Sequence, residues 1–219
     1  MHGVPVFRTK RKDPAFLCSY KPDDFLYAHN DVHSGRTDRQ AFLFRIDPRP
    51  DGNPVIVVQS AIKPDWDYAF HNAGFLLAGQ RTVECDLSFS SGQNLRFWLE
   101  ANPTKKVGTL SKTERKGGIV IKERDKNGRR VPLPSERLDE WIISKAEHAG
   151  FRVHQPLTIT LGYAYFAKPE REPSRLRSAR FEGILEVTDG EVFREAIIRG
   201  IGPAKGFGFG LVSVAPLKG

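Results

Sequence analysis

Apolar and polar residues alternate along much of this chain with the period of a strand, and in places they give way to the longer period of a helix. QAFLFRID (40–47) and VIVVQS (55–60) predict two strands, the second β-branched and buried. Val83, Cys85, Leu87 and Phe89 share one face of TVECDLSFS (82–90), which predicts a half-buried strand. Earlier in the chain, AFLCSY (15–20) predicts a short strand. Pro22, Asp23 and Asp24 then open a helix over FLYAHNDVHS that stops at Gly35, with the acids where the helix dipole favours them. Residues 1–14 are basic and unpatterned and read as a lead-in. KPDWDYAFHNAGFLLAGQ (63–80) reads as a loop with at most a short helix. The order β-α-β-β-(α)-β is that of a ferredoxin-like unit.

A second unit repeats the order. NLRFWLEANP (94–103) alternates Leu95, Phe97 and Leu99. Pro134 and Ser135 start a helix, with Ser135 as N-cap candidate, Leu138, Trp141, Ile142 and Ala146 as its apolar stripe, and Gly150 as its stop. RVHQPLTITLGYAYFAK and RLRSARFEGILEVTD predict two strands around a basic hairpin. Asp189 caps GEVFREAIIRG, whose Phe193, Ile197 and Ile198 face a core, and GLVSVAP closes the sheet. The fold class is α+β, with tandem ferredoxin-like (RRM-like, βαββαβ) domains. The division falls near Gly92: 1–91, including the lead-in, and 92–219, which carries a basic excursion at 104–130 and a glycine-rich loop at 200–210.

Charge adds a partner to this picture. The 219 residues include 34 Lys and Arg against 26 Asp and Glu, a net charge of +8. Ten of the cations and three of the acids fall between Thr104 and Arg130, which concentrates most of the excess in one segment. Lys168, Arg171, Arg175, Arg177 and Arg180 form a second group. A charge run can be a solvated loop, but two runs beside a glycine-rich loop favour a polyanionic partner. Hydrophobic residues make up 39% of the chain, enough for packed cores, and no apolar run approaches the length of a membrane span. The N-terminus lacks the apolar core of a secretory signal. Cys18 and Cys85 stand far apart within apolar runs, as buried free thiols would, and imply a reducing, cytoplasmic setting.

RGIGPAKGFGFGLVSVAP (199–216) sets Gly200, Gly202, Gly206, Gly208 and Gly210 around Lys205. So bare a backbone can approach a phosphate chain closely. The loop follows a helix and precedes a strand, the reverse of a nucleotide-binding loop, which argues against a nucleotide cofactor. It is either a tightly packed connection or a cradle for a nucleic-acid backbone.

Several stretches together resemble one family: FLFRID and VIVVQSAIKPDW in the first half; ANPTKK, the basic excursion leading to RVPL, KAEHAGF, RFEGILEV and GIGPAKGFGFGLVSVAP in the second. They are similar to CasE, the repeat-processing endoribonuclease of the type I-E CRISPR Cascade complex, over roughly Asp24 to Pro216. The resemblance implies the tandem fold, binding to the stem-loop of the CRISPR repeat, and one metal-independent cut at the 3′ base of that stem. The substrate's own 2′-hydroxyl would attack, leaving a 2′,3′-cyclic phosphate, with no cofactor. It also implies that the protein stays on the mature crRNA hairpin beside the backbone and Cas5-like subunits of Cascade, away from any membrane.

Such a cut needs a group for proton transfer, a held phosphate and cations for the developing charge. The family carries its acid/base histidine on the first helix, in a motif like Asp-Leu-Tyr-x-x-His. The local match runs from Asp24 to His29, so the resemblance assigns His29; Leu26 stands at the family's tyrosine position, and Tyr27 is the candidate positioning phenol. Here the tyrosine stands two residues before the histidine rather than three. Tyr20 is another candidate phenol, His33 shares the helix face of His29, and His2 is the alternative histidine. His148 and His154 read as structural, and His71 has no reading. For RNA binding the candidates are Lys205, Gly202, Gly206 and Gly208 near the cut, Arg171, Arg175, Arg177 and Arg180 along the stem, and Lys105, Lys106, Arg115 and Lys116 in the excursion. A non-catalytic subunit that binds the crRNA hairpin is the alternative function.

Overall fold

The computed structural model describes residues 6–8, 42–50, 53–60, 81–107, 129–166 and 174–217. In the first half, β1 (Val6–Arg8), β2 (Leu43–Asp47) and β3 (Val55–Gln59) form an antiparallel sheet in the order β1-β3-β2. β3 is central, and Val55, Ile56, Val57 and Val58 are all buried, as its β-branched run requires. β1 falls inside the stretch read as a lead-in. It pairs with Val55–Val57 far along the chain, and local periodicity carries no signal for so distant a partner. The strand and helix expected over 15–34 lie outside the described residues.

The second half contains β4 (Asn94–Ala101), β5 (Thr104–Val107), β6 (Arg129–Pro132), α1 (Leu138–His148), β7 (Phe151–Val153), β8 (Thr158–Phe166), β9 (Ser174–Val187), α2 (Gly190–Arg199) and β10 (Val212–Pro216). Its main sheet runs β10-β4-β9-β7, all antiparallel, with β8 also paired to β9. The first and third strands of the unit are central and the second and fourth flank them, which is the ferredoxin-like arrangement. β5 and β6 form a separate two-stranded ribbon from the two ends of the basic excursion.

Strand alternation decides which face is covered. Leu95, Phe97, Leu99 and Ala101 of β4 and Ala179, Phe181, Leu185 and Val187 of β9 point to one side. There they bury Leu138, Trp141, Ile142 and Ala146 of α1 and Phe193 and Ile197 of α2. Trp141 stacks on Phe181 with ring centroids 5.6 Å apart, and Phe151 meets the Phe193 ring at 5.4 Å. Asp189 caps α2 by accepting from the Val192 N–H, and Gly150, at φ 73°, ends α1.

Three sequence expectations are corrected. Residues 82–90 form no strand, with a single bridge residue at Glu84. Leu87 and Phe89 instead pack on the core, Phe89 4.8 Å from the Phe193 ring, while Val83 is exposed. Alternation records one-sided burial, and here a helix rather than a neighbouring strand supplies the cover. Ser135 does not cap α1. It sits in a 3-10 turn, Ser135–Arg137, and the residue before α1 is Arg137. The expected strand over 152–168 is divided at Gln155-Pro156, where the ladder steps from Val153↔Leu185 to Thr158↔Glu182. Residues 154–157 thus oppose only 183–184, a bulge at a residue with no N–H to give.

The halves meet on β2. Leu43, Val55 and Val57 bury Leu211, and the Gln59 side chain donates to the Ile197 carbonyl at 2.8 Å. Arg45, only 4% exposed, pairs with Asp47 at 2.6 Å and donates to Ser213 Oγ at 2.8 Å. Among the described residues no helix is long and apolar enough to cross a membrane.

Candidate nucleic-acid interface

The glycine-rich loop is fastened at both ends. Ile201 N–H donates to the Gly210 carbonyl at 2.9 Å, and Gly210 N–H donates to the Glu100 carbonyl of β4 at 2.8 Å. At Gly200, φ is +72°, and a Cβ would stand 2.8 Å from Leu43 Cδ1 and 2.9 Å from the Gly210 carbonyl oxygen. Gly202 backs onto Trp141, and Gly208 is buried against the Phe44 ring. These positions are glycine because the loop wedges between the two halves. Gly206 differs: it is exposed, with open space where a Cβ would be. Of the three glycines offered to RNA by the sequence, Gly206 is the one that faces solvent.

Lys205 begins the 3-10 turn at the loop's tip, Lys205–Phe207. Desolvation, and then the charge of Arg199, lower its pKa below the ordinary 10.5. A part-buried ammonium near a second cation is short of negative charge, and a phosphate placed there would supply it. Phe207 next to it is exposed, and its ring meets Phe166 at the end of β8 at 4.7 Å. That contact joins the loop to the hairpin.

The hairpin arginines have separate fates: Arg180 faces the side opposite Arg175 and Arg177, and these two share a face but meet different partners. Arg177 donates to the Leu133 carbonyl and to Ser135 Oγ, both at 2.7 Å, and so ties β9 to the turn before α1. Arg180 lies opposite Glu100, donates to it at 3.1 Å, and sits 4.8 Å from the Trp98 ring. Both are thereby engaged within the chain as well as part-exposed. Arg175 is exposed, with its guanidinium over the Tyr163 ring at 4.7 Å. Arg171 lies outside the described residues.

On the β5–β6 ribbon Lys105, Lys106 and Arg130 are exposed. Lys106 stands directly opposite Arg130, a juxtaposition of like charges that opposes the ribbon unless an anion is near. Arg130 also donates to Thr104 Oγ1 at 3.3 Å. Arg115 and Lys116 lie outside the described residues, as do the catalytic candidates His29 and Tyr27 and the alternatives Tyr20, His33, His2 and His71. His148 Nδ1 lies 2.6 Å from the Ser144 carbonyl oxygen, and His154 Nε2 lies 3.2 Å from Asn94 Oδ1, so each has a local partner. Among the described residues no three His, Cys, Asp or Glu gather as metal ligands.

Charge and glycine patterns do not single out Tyr163, Tyr165 or Phe207. The signal that could have found the tyrosines is the run Leu161, Tyr163, Tyr165, large apolar residues at every second position of a strand.

Comparison with known proteins assigns the chain. It is 32% identical to the CRISPR-associated endoribonuclease Cse3 of Thermus thermophilus over 196 residues, 81% of each chain. It is 30% identical to the CRISPR system Cascade subunit CasE of Escherichia coli K12 over 180 residues, 80% of this chain and 82% of that one. A solved structure of CRISPR endoribonuclease Cse3 bound to a 19-nucleotide RNA superposes with a TM-score of 0.76 at 25% identity, covering 98% of this chain and 100% of the other. The likeness runs through both halves, so the tandem ferredoxin-like fold holds for the whole chain. A family model described as CRISPR associated protein matches residues 20–216, and the chain belongs to that family, with Cse3 and CasE among its relatives.

Proposed function

We propose that this chain is the endoribonuclease that cuts CRISPR repeat RNA at the 3′ base of its stem-loop and then remains on the mature crRNA hairpin as a Cascade subunit. The observation that carries this reading is the match over nearly the full length to an RNA-bound Cse3, in a chain that carries the part-buried Lys205 at the loop tip and exposed cations on the hairpin (Arg175) and the ribbon (Lys105, Lys106 and Arg130). Lys205 and Gly206 would hold the backbone near the cut, and Arg175, Lys105 and Lys106 would meet phosphates of the stem, since A-form RNA is recognised mainly through shape and backbone. His29 transfers the proton, Tyr27 orients the phosphate, and the attacking group is the 2′-hydroxyl of the RNA, so no metal is required. The division into units 1–91 and 92–219 places proton transfer on one unit and most RNA contacts on the other.

The test is incubation with labelled repeat RNA in excess chelator, followed by end-group analysis. A product ending in a 2′,3′-cyclic phosphate is expected; cleavage only on addition of magnesium would overturn the mechanism. The spacing of Tyr27, two residues before His29, favours a second reading, a subunit that binds the hairpin without cutting it. Loss of cleavage with retained binding in His29→Ala supports the enzyme, while absence of cleavage by the unaltered protein supports the second reading.

A further inference from the structure

β8 carries a stripe of side chains that outruns its own core. Ile159, Leu161, Tyr163 and Tyr165 all point to the side of the sheet that α1 and α2 cover, because β8 residues two apart share a face. Ile159 is still packed against the core. Beyond it the helical layer ends, and Leu161, Tyr163 and Tyr165 are 47%, 51% and 52% exposed. The opposite face at the same end is the better covered one: Gly162, Ala164 and Phe166 are half-buried, and Phe166 rests on Phe207. The molecule therefore leaves its large apolar residues outward on the face where no element of the described chain covers them.

The character of the stripe identifies what it would take. The Tyr163 and Tyr165 rings lie 6.3 Å apart at 48° to one another, so they do not close face to face. The Arg175 guanidinium lies over Tyr163 at 4.7 Å. The described arms of the hairpin, 158–166 and 174–180, contain three arginines and no acid. Two aromatic rings on one strand, one of them beneath a guanidinium, are suited to flat, electron-rich rings joined by phosphates. That is the chemistry of unpaired nucleotides, whose bases stack on tyrosine and arginine planes whatever their sequence. A paired stem buries its base faces in its own stack and has none to offer.

We infer that the Leu161–Tyr163–Tyr165 face with Arg175 is a stacking platform for unpaired nucleotides flanking the RNA hairpin, separate from the loop and ribbon that meet phosphates. The inference rests on the proposed function for its RNA. It adds a subsite that reads strandedness rather than charge, and so distinguishes a hairpin with a single-stranded flank from the stem alone.

The experiment compares three probes: the blunt repeat hairpin, the same hairpin with a four-nucleotide single-stranded extension on either side, and an unstructured ten-nucleotide RNA. The full chain is expected to bind the extended hairpin at least tenfold more tightly than the blunt one. In Tyr163→Ala/Tyr165→Ala that advantage should disappear, while Tyr163→Phe/Tyr165→Phe, which keeps the ring faces, retains it. Far-UV circular dichroism and the thermal midpoint report whether the alanine variant is folded. If it is not, the single variants Tyr163→Ser and Tyr165→Ser, each predicted to lose part of the advantage, carry the test. Equal affinity of the unaltered chain for blunt and extended hairpins overturns the inference and leaves the proposed function standing. So does an alanine variant that keeps the advantage but no longer joins other Cascade subunits, which would assign the face to a protein. If the chain binds neither hairpin, the proposed function fails. The platform then stands only if the unstructured RNA binds and the double alanine weakens it at least tenfold.

Discussion

The guanidinium of Arg45 lies 3.7 Å from the centre of the Trp98 ring, and through that contact a strand of the first half is locked onto the sheet of the second. Arg45 leaves β2, holds Asp47 on its own strand, reaches Ser213 on β10, and lies flat on an indole carried by β4. Arg180 approaches the same indole at 4.8 Å. A planar cation can satisfy a carboxylate through its edge and an aromatic ring through its face at once, which an ammonium cannot do. The orientation of the two halves thus depends on a side chain that a charge count would place on the surface.

Arg45→Met should lower stability by about 3 kcal/mol, because Asp47 is left nearly buried without its partner. Arg45→Lys should cost about 1 kcal/mol, since the charge survives but the stacked fork does not. Urea denaturation midpoints measure both. Equal loss in the two variants would show that the stacking contributes nothing.

The loop glycines should separate into packing and binding positions. Gly200→Ala forces a Cβ into Leu43 and the Gly210 carbonyl at a positive φ, and should cost about 2–4 kcal/mol. Gly206→Ala meets nothing within 4 Å and should change stability by no more than about 0.5 kcal/mol. Gly206→Glu should then keep the thermal midpoint and still lose tenfold or more in affinity for the repeat hairpin. Unchanged affinity in that variant would remove the loop tip from the interface.

Much of this architecture was legible because it is written at short range. The stripe of α1 at Leu138, Trp141, Ile142 and Ala146, the Asp189 cap and the alternation of β4 each follow from residues within a few positions of one another. What escaped was set at long range. β1 is a strand because Val55–Val57 is there to pair with it, and 82–90 is not one because α2 rather than a strand lies beside Phe89. The site was legible as charge and glycine but not as geometry. Arg175, Arg177 and Arg180 are alike in sequence; the face separates Arg180 from the other two, and only the partner within reach tells Arg175 from Arg177.

Lys205 gives the interface a pH dependence. Its pKa is lower in the folded chain than in the unfolded one, through burial and then Arg199. The contribution to stability is therefore complete above the ordinary value of 10.5 and is lost as the pH falls through the lowered one. At neutral pH the protonated ammonium opposes folding, and Lys205→Met should raise the thermal midpoint slightly. RNA affinity has the opposite sign, since the phosphate needs the proton. Binding by the unaltered chain should weaken as pH rises through the lowered pKa, before ordinary lysines titrate, and that early limb should be missing in Lys205→Met. The variant's binding should also lose about one unit of slope in log affinity against log salt. A slope equal to that of the unaltered chain would mean that Lys205 touches no phosphate.

Arg175 and Arg177, two positions apart on β9, should behave as different kinds of residue. Arg177→Ala removes two charged hydrogen bonds that hold the Leu133 carbonyl and Ser135 ahead of α1, and leaves that carbonyl without its donor. About 2 kcal/mol of stability should go with it, with the salt slope of RNA binding unchanged. Arg175→Ala removes an exposed guanidinium whose recorded contact is the face of Tyr163. It should leave the denaturation midpoint within about 0.5 kcal/mol of the original and weaken binding of the hairpin with its flanks. Chemical denaturation and salt-dependent binding, run on both variants, give a two-by-two outcome. If Arg177→Ala flattened the salt slope while leaving stability intact, its bonds to Leu133 and Ser135 would be incidental and its side chain would belong to the RNA.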